Sequence, residues 1–146
     1  MKTLVSILVL FFYNYAYSKS IDYKKVVTGE NSSWVIFAIY ETPSGDIVNK
    51  YYNIDTLRII GDIQGFEELT FFLKPKKIND NTSYHFLKSY NELDCKKYMV
   101  RPYGLAIFYD INSNKIGEFD TQDTDLTWTR FPIGTSYDDL HKKICH

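Results

Sequence analysis

The sequence is poor in the residues that usually bind metals. Its 146 residues include only two cysteines and three histidines: His85, His141 and His146. These histidines do not have the spacing of metal ligands, although His141 and Cys145 could share a metal face if Cys145 were a free thiol. No glycine-rich loop of the phosphate-cradling type is present. The composition therefore predicts neither a metal site nor a cofactor.

The sequence also lacks an excess of charge of either sign. It has 17 basic and 18 acidic residues, which gives a formal net charge of −1. Nucleic-acid-binding domains usually carry a basic patch or stripe that neutralises phosphates. We therefore expect no nucleic-acid partner.

The apolar run at the N-terminus, Leu4–Phe12, is too short to form a membrane-spanning helix, which needs about 20 residues. Small residues follow at Ala16 and Ser18, in the spacing that a signal peptidase recognises. We predict a secretory signal peptide at residues 1–18 and one exported domain at residues 19–146, with no transmembrane helix after cleavage. An uncleaved membrane anchor is the alternative. No cysteine lies near the cut, so we expect no lipid attachment there.

Aromatic residues are abundant, with 13 tyrosines and 10 phenylalanines, and this composition suits β-strands. Polar breaks divide the apolar runs, with Lys74-Pro75 predicted to end the strand that begins at Phe66, and Pro102 and Gly104 predicted to cause a bulge or mark an edge. The principal predicted strands are Trp34–Tyr40, Ile47–Ile54, Phe66–Leu73, Tyr84–Asp94, Tyr98–Tyr109, Ile116–Phe119 and Leu126–Phe131, with a short one at Lys25–Thr28. Residues 84–94 also fit helical spacing, and strand is the prediction that we adopt.

The segment Ser136–Cys145 has the pattern of a short amphipathic helix. Ser136 is the predicted N-cap, with Asp139 as a shorter substitute for the glutamate of a capping box. Acidic residues in the first turn and lysines in the last suit the helix dipole. One face is apolar at helical spacing: Tyr137, Leu140 and Ile144. We expect this helix to pack on a sheet.

The two cysteines, Cys95 and Cys145, are predicted to form a disulfide because an even pair in an exported domain favours one. The bond would close a loop of about fifty residues, for which the chain-entropy model gives roughly 4 kcal/mol as an upper guide. Two buried free thiols are the alternative. The predicted fold class is α+β: an antiparallel β-sheet of about six strands, with a C-terminal α-helix packed on it and pinned by the disulfide.

The order of tyrosines, cysteines and the closing helix resembles that of the surface-adhesin protein E family of Gram-negative bacteria. The likeness extends over about residues 34–145 and depends on order and spacing, since no single motif is diagnostic. The matching segments are Tyr51-Tyr52-Asn53-Ile54-Asp55, Asp94-Cys95, Phe108-Tyr109-Asp110 and the stretch from Trp128 to Ser136.

The resemblance implies a sheet with a C-terminal helix held by this disulfide. It also implies an exported, non-enzymatic, adhesin-like binding protein, because a known member is a dimeric surface adhesin for host proteins such as laminin, vitronectin and plasminogen. The family's ligand-binding segment corresponds to about residues 80–104. Its basic and tyrosine side chains are the candidate ligand-binding residues: Lys88, Lys96, Lys97, Arg101, Tyr84, Tyr90, Tyr98 and Tyr103. An ordinary solvated sheet face is the alternative for each of them.

Two other functions remain open at this stage. One is a periplasmic or envelope-associated structural protein without a host ligand, so the compartment is the periplasm, the outer-membrane surface or the extracellular space. The other is a hydrolase that uses carboxylates among Asp94, Asp110 and Asp120. A homodimer through a sheet edge is a further expectation, because open edges invite pairing. Asp110–Asn114 looks like the opening of a calcium loop, but a hairpin turn accounts for it better.

Overall fold

The computed structural model describes residues 33–120 and 127–146. The predicted signal peptide and the short strand at Lys25–Thr28 lie outside these residues. Within them, no helix is long and apolar enough to cross a membrane.

The described residues form nine β-strands, one 3-10 turn and one α-helix. The elements in chain order are β1 (Trp34–Glu41), β2 (Ile47–Asn53), the 3-10 turn (Ile54–Thr56), β3 (Arg58–Ile60), β4 (Ile63–Asn79), β5 (Thr82–Asp94), β6 (Met99–Pro102), β7 (Leu105–Tyr109), β8 (Lys115–Asp120), β9 (Thr129–Arg130) and α1 (Ser136–Ile144). The α+β class is confirmed, but the prediction of six strands was wrong. The structure adds the three-residue strand β3 and divides the predicted strand at 98–109 into β6 and β7, while the predicted strand at 126–131 is present as the two-residue β9.

All strand pairs of the sheet are antiparallel, and the main order is β1-β2-β4-β5-β6-β9. Strand β3 pairs with the start of β4, β7 pairs with β5, and β8 pairs with β7. The long hairpin of β4 and β5 is the centre of the sheet. The predicted strand at 84–94 is confirmed over the helical alternative.

Strand β4 continues through Pro75, although the sequence predicted that it would end there. The register against β5 shifts between Phe71 and Lys76, so the proline lies in an irregular stretch of the ladder where its missing N–H costs little. A buried carboxylate holds this stretch: Asp46 accepts from the backbone N–H of Lys74 at 2.8 Å and pairs with Lys76 Nζ at 2.6 Å. Burial favours a higher pKa for Asp46, but these two partners outweigh it and lower the pKa.

The predicted interruption near Pro102 is present. Asn91 of β5 pairs with Pro102 whereas Lys88 pairs with Ile107, so the outer strand carries extra residues between β6 and β7. Gly104 lies there with a φ of +78°, a conformation that glycine adopts without strain. This bulge lets β6 and β7 follow one another along the same side of β5.

The helix α1 begins at Ser136 as predicted, but the predicted capping box is wrong. Thr135 is the N-cap and its side chain makes no capping bond. Instead, Asp138 accepts from the N–H of Gly134 at 2.9 Å and from Lys142 Nζ at 2.7 Å. Both bonds lower the pKa of Asp138, and the bond from Lys142 has the larger effect.

The hydrophobic core lies between α1 and one face of the sheet. Leu140 is completely buried and Ile144 nearly so, as expected for the apolar face of the helix. The core consists of seven buried residues from five strands or loops and the helix: Phe37, Tyr52, Phe66, Leu93, Phe131, Leu140 and Ile144.

A disulfide between Cys95 and Cys145 joins the end of β5 to the end of α1, with the two Cα atoms 5.6 Å apart. This confirms the predicted bond. His141 stacks on Tyr98 with ring centroids 4.3 Å apart. Its Nε2 lies 2.9 Å from the Cys95 carbonyl oxygen and donates to it, since a carbonyl can only accept. The metal face of His141 and Cys145 is therefore excluded, because Cys145 is bonded to sulfur.

A buried ion pair lies beneath the N-terminal half of α1. Glu68 accepts from Lys50 Nζ at 2.8 Å, Thr70 Oγ1 at 3.0 Å, Asn91 Nδ2 at 2.9 Å and the Tyr137 hydroxyl at 2.9 Å. The Lys50 ammonium also lies over the Tyr137 ring, 4.5 Å from its centroid. Burial is the main reason that the pKa of Tyr137 is raised well above its ordinary value, and the neighbouring Glu68 carboxylate raises it further. Each oxygen of Glu68 thus has two donors, and one of these comes from the helix.

Replacing Glu68 by glutamine should destabilise the protein by about 3–5 kcal/mol, because it leaves the Lys50 ammonium buried without a counter-charge. The side chains of Lys50 and Glu68 are only 12% and 4% exposed. The free energy of unfolding is measured by urea denaturation. The matched control is Glu118→Gln, which breaks a solvent-exposed pair with Lys115 and should change stability by less than about 1 kcal/mol. Equal effects of the two substitutions would contradict the structural role of Glu68.

Candidate functional site

The eight candidate ligand-binding residues do not form one surface. The structure divides them into a turn beside the disulfide, a buried aromatic contact in the central hairpin, and a cluster on the sheet face opposite α1. The first place contains Lys96, Lys97 and Tyr98, the second Tyr84, and the third Lys88, Tyr90, Arg101 and Tyr103.

The turn after β5 presents Lys96 and Lys97 to solvent. Asp94 holds this turn, since its Oδ1 accepts from the backbone N–H groups of both lysines, at 3.1 and 2.8 Å. Tyr98 follows with a φ of +57°, and its ring lies against His141 of the helix. These two lysines are exposed, but they lie at the disulfide end of α1 and away from the other basic candidates.

Tyr84 is mainly a packing residue. Its ring makes edge contacts with Phe108, at 4.8 Å between centroids, and with Phe72, at 5.7 Å. Burial raises the pKa of its hydroxyl, with Lys76 opposing. Edge-to-face contacts of this type stabilise strand pairing, which gives Tyr84 a packing role between β4, β5 and β7.

The third group forms a cluster of arginine and aromatic rings. The Arg101 guanidinium lies over the ring of Trp128, 4.6 Å from its centroid, and over Tyr103 at 5.9 Å. Tyr103 in turn makes an edge contact with Tyr90 at 6.0 Å. We call these four residues the arginine–tyrosine cluster. Trp128 comes from the segment before β9, and sequence reasoning about residues 80–104 missed it.

Strand register explains why the cluster lies opposite α1. Gly65 pairs with Glu92, and Glu92 pairs with Arg101, so the three share one face. Phe66, the next residue after Gly65, is in the core beneath α1. Because successive residues of a strand point to opposite faces, Arg101 and its neighbours point away from the helix.

Acidic neighbours neutralise both basic candidates on this face. Arg101 donates to one oxygen of Glu92, Oε2, from Nε at 2.7 Å and from Nη2 at 2.6 Å. Lys88 pairs with Glu67 at 3.2 Å. The pairing with Glu92 orients the guanidinium so that its flat side faces the aromatic rings.

A glycine makes room for Tyr90. A Cβ at Gly65 would lie 2.0 Å from the Tyr90 hydroxyl oxygen, so the tyrosine lies across a notch that only glycine leaves open. Burial there raises the pKa of Tyr90, while Arg58, which pairs with Gly65 on β3, lowers it. The notch therefore brings Tyr90 towards Arg58.

The acidic residues considered for hydrolysis have structural roles. Asp94 holds the turn described above. Asp110 holds the β7–β8 hairpin by accepting from the backbone N–H groups of Asn112 and Asn114, at 2.9 and 2.8 Å. That segment is the predicted hairpin turn, and Asp120 is the last residue of β8. Among the described residues, no group of three His, Cys, Asp or Glu side chains is arranged to hold a metal ion.

A separate groove of about 590 Å³ lies between β1 and the start of α1. Strand β1 contributes Phe37 to Tyr40, and the helix side contributes Gly134 to Ser136 and Asp139. None of the eight candidate residues lines it. Apolar side chains line part of this groove, and hydroxyl and carboxylate groups line the rest. The lining residues do not include a cluster of titratable groups suited to catalysis.

The family model of surface-adhesin protein E matches residues 37–146. The chain belongs to the surface-adhesin protein E family. The matched range contains every strand after β1, the disulfide and α1, so the resemblance inferred from sequence is confirmed. Membership in the family supports an adhesin-like surface protein, hence an exported one, and a binding role in place of catalysis.

Solved structures of protein E from Haemophilus influenzae share the fold. Crystal form II of that protein superposes with a TM-score of 0.53 at 14% identity, covering 82% of this chain and 95% of the other. Protein E from a non-typeable strain gives a TM-score of 0.51 at 17% identity, covering 79% and 85%. Identities this low support the shared fold of the family and do not transfer individual contacts. A search of curated proteins found no match.

Replacing Gly65 by alanine should displace Tyr90 from its notch and destabilise the protein by about 1–3 kcal/mol, as overpacking does. The pKa of Tyr90 should then fall towards its ordinary value, because the ring leaves its buried position. Ultraviolet titration of tyrosine, compared with a Tyr90→Phe variant, measures this change.

The matched control is Gly117→Ala in β8, where an added Cβ would meet only ordinary contacts at 3.6 Å or more. That variant should keep both its stability and its tyrosine titration curve. An unchanged titration curve in Gly65→Ala would contradict the placement of Tyr90.

Proposed function

We propose that this protein is an exported, adhesin-like member of its family that binds host extracellular-matrix or serum proteins through the arginine–tyrosine cluster. The single observation that carries the proposal is the convergence of Tyr90, Arg101, Tyr103 and Trp128 on the face opposite α1. Tyrosine, tryptophan and arginine are the residue types that dominate binding energy at protein interfaces. Laminin, vitronectin and plasminogen are the ligands that the family resemblance suggests.

The four candidates at the disulfide turn and in the hairpin, Lys96, Lys97, Tyr98 and Tyr84, play a smaller part in this proposal. Lys96 and Lys97 are exposed, flexible cations at the rim, and rim charges mainly change association rates. Tyr84 packs against the rings of Phe72 and Phe108, and Tyr98 stacks on His141.

The proposed location is the outer-membrane surface or the extracellular space. The second candidate function is a periplasmic or envelope-associated structural protein, favoured by the neutralisation of Lys88 and Arg101 within the chain itself. Protease digestion of intact cells separates the two, because only a surface protein is cleaved while the outer membrane is intact.

A homodimer through a sheet edge forms part of the same proposal. Among the described strands, β1 pairs only with β2, which leaves its other edge open. Ile36 and Ile39 of this strand are 38% and 62% exposed. Open edges with apolar side chains are surfaces for strand pairing, and light scattering of the mature domain tests for a dimer.

The double substitution Arg101→Ala/Tyr103→Ala should weaken binding to immobilised laminin, vitronectin or plasminogen by about 30-fold, the loss expected when hot-spot residues are truncated. The matched double substitution Lys96→Ala/Lys97→Ala should weaken it by less than about fivefold. Surface plasmon resonance measures both. Thermal melting of each variant checks that the fold is retained.

Absence of binding by the wild-type domain to all three host proteins would refute the proposal for these ligands. A larger loss in the lysine variant than in the Arg101/Tyr103 variant would move the site to the disulfide turn.

A further inference from the structure

A row of directly paired residues crosses the sheet on the face opposite α1. Arg58 of β3 pairs with Gly65 of β4, Gly65 with Glu92 of β5, and Glu92 with Arg101 of β6. Arg101 then contacts Trp128, just before β9. The row therefore extends the arginine–tyrosine cluster over four inter-strand steps.

Two exposed arginines flank this row. Arg58 begins it. Arg130 lies two residues after Trp128 on β9 and pairs with Met99, so it is on the same face but one same-face position along the strand from the end of the row. Among residues 33–120 and 127–146, no ion pair forms with either guanidinium. The middle differs, because Arg101 is neutralised by Glu92 and Lys88 by Glu67.

The middle of the row is a platform of aromatic rings. The hydroxyl end of Tyr90 lies over the Gly65 notch, and Trp128 is covered on one side by Arg101. Rigid rings of this type give contact area to a partner at low entropic cost. Among the described residues, the row thus has an unpaired arginine near each end and, in its centre, aromatic rings beside two ion pairs that carry no net charge.

We propose that this row binds an acidic, extended segment of a partner protein, with carboxylates near both ends of the segment and uncharged residues between them. The inference rests on the proposed function, because it assigns a ligand chemistry to the same surface. Four steps between strands at about 4.8 Å each give a row of about 19 Å, which about six extended residues span. Arginine suits the carboxylates because its fork of N–H groups pairs with both oxygens.

The charges in the centre favour such a segment over a sulfated glycan. A chain with sulfates at every sugar would place negative charge over Glu67 and Glu92, and like charges in close contact repel. A protein segment can concentrate its acidic residues at the ends and leave the centre neutral. The spacing of the free arginines, and not the number of basic residues, is therefore the basis of recognition.

The probe is a capped, fluorescein-labelled seven-residue peptide with two glutamates at each end and Ser-Leu-Ser between them. Its control peptide has glutamine at all four glutamate positions. Fluorescence anisotropy with the full-length mature domain should show binding of the acidic peptide, weakened by added salt, and at least tenfold weaker binding of the control. Arg58→Gln and Arg130→Gln should each weaken acidic-peptide binding by about fivefold. Lys143→Gln, an exposed cation on α1, should leave it unchanged.

Equal binding of the two peptides, or no effect of Arg58→Gln and Arg130→Gln, would overturn the inference. Heparin that binds more tightly than the peptide and loses affinity in the same two variants would also overturn it, in favour of an anionic glycan. Host proteins that depend on Arg101 and Tyr103 but not on Arg58 and Arg130 would overturn the inference and leave the proposed function standing. Binding of the acidic peptide without any host-protein binding would support the inference and refute the proposed function.

Discussion

The attachment of the short C-terminal helix to one face of the sheet is the constraint on which the rest of the structure depends. A helix of nine residues is marginal in water by itself. Three interactions hold it: burial of Leu140 and Ile144, the hydrogen bond from Tyr137 to the buried Glu68, and the Cys95–Cys145 disulfide. They act at the two ends and the middle of the helix, so it has one position on the sheet.

The same attachment determines what the opposite face can do. Because side chains alternate along each strand, the register that places Phe66 under the helix places Gly65, Glu92 and Arg101 on the other side. A slip of one residue would exchange the two faces. The core beneath α1 therefore holds the arginine–tyrosine cluster in register, and a binding surface on a central sheet is more rigid than one on loops.

The local sequence pattern predicted many of the strands and the helix, because these elements depend on residues that lie close together in the sequence. The strands β1 and β2 and the helix from Ser136 have clear periodicity or turn residues, whereas the strand at 84–94 fits helical spacing about as well. The disulfide was predictable because two cysteines in an exported chain have one pairing. The passage of β4 through Pro75 was not, since it depends on Asp46, which lies almost 30 residues earlier in the chain. The helix cap was mispredicted because the N-cap position is Thr135, one residue before Ser136, and Asp138 of the first turn bonds back to the N–H of Gly134.

The candidate site was only partly predictable for a similar reason. The resemblance of one segment to the family's ligand-binding segment can identify Tyr90, Arg101 and Tyr103 as candidates, because they lie close together in the sequence. It cannot nominate Trp128 or Arg58, because they reach the cluster through strand pairing over a long sequence separation. Nor can it distinguish Tyr84 from the tyrosines of the cluster, because the side chain is the same and only its apolar surroundings differ. A glycine between two paired strands, such as Gly65, is the one local signal of a close approach.

Hydrogen exchange before and after reduction of the disulfide tests the central claim most directly. If the bond holds the end of α1 to β5, reduction should speed exchange of the α1 amides much more than that of the paired amides in the centre of β4 and β5. Mass spectrometry of peptides covering residues 136–146 and 63–94 resolves the two. Equal acceleration in both regions, or unchanged protection of α1, would contradict the account, because the helix would then be held without the disulfide.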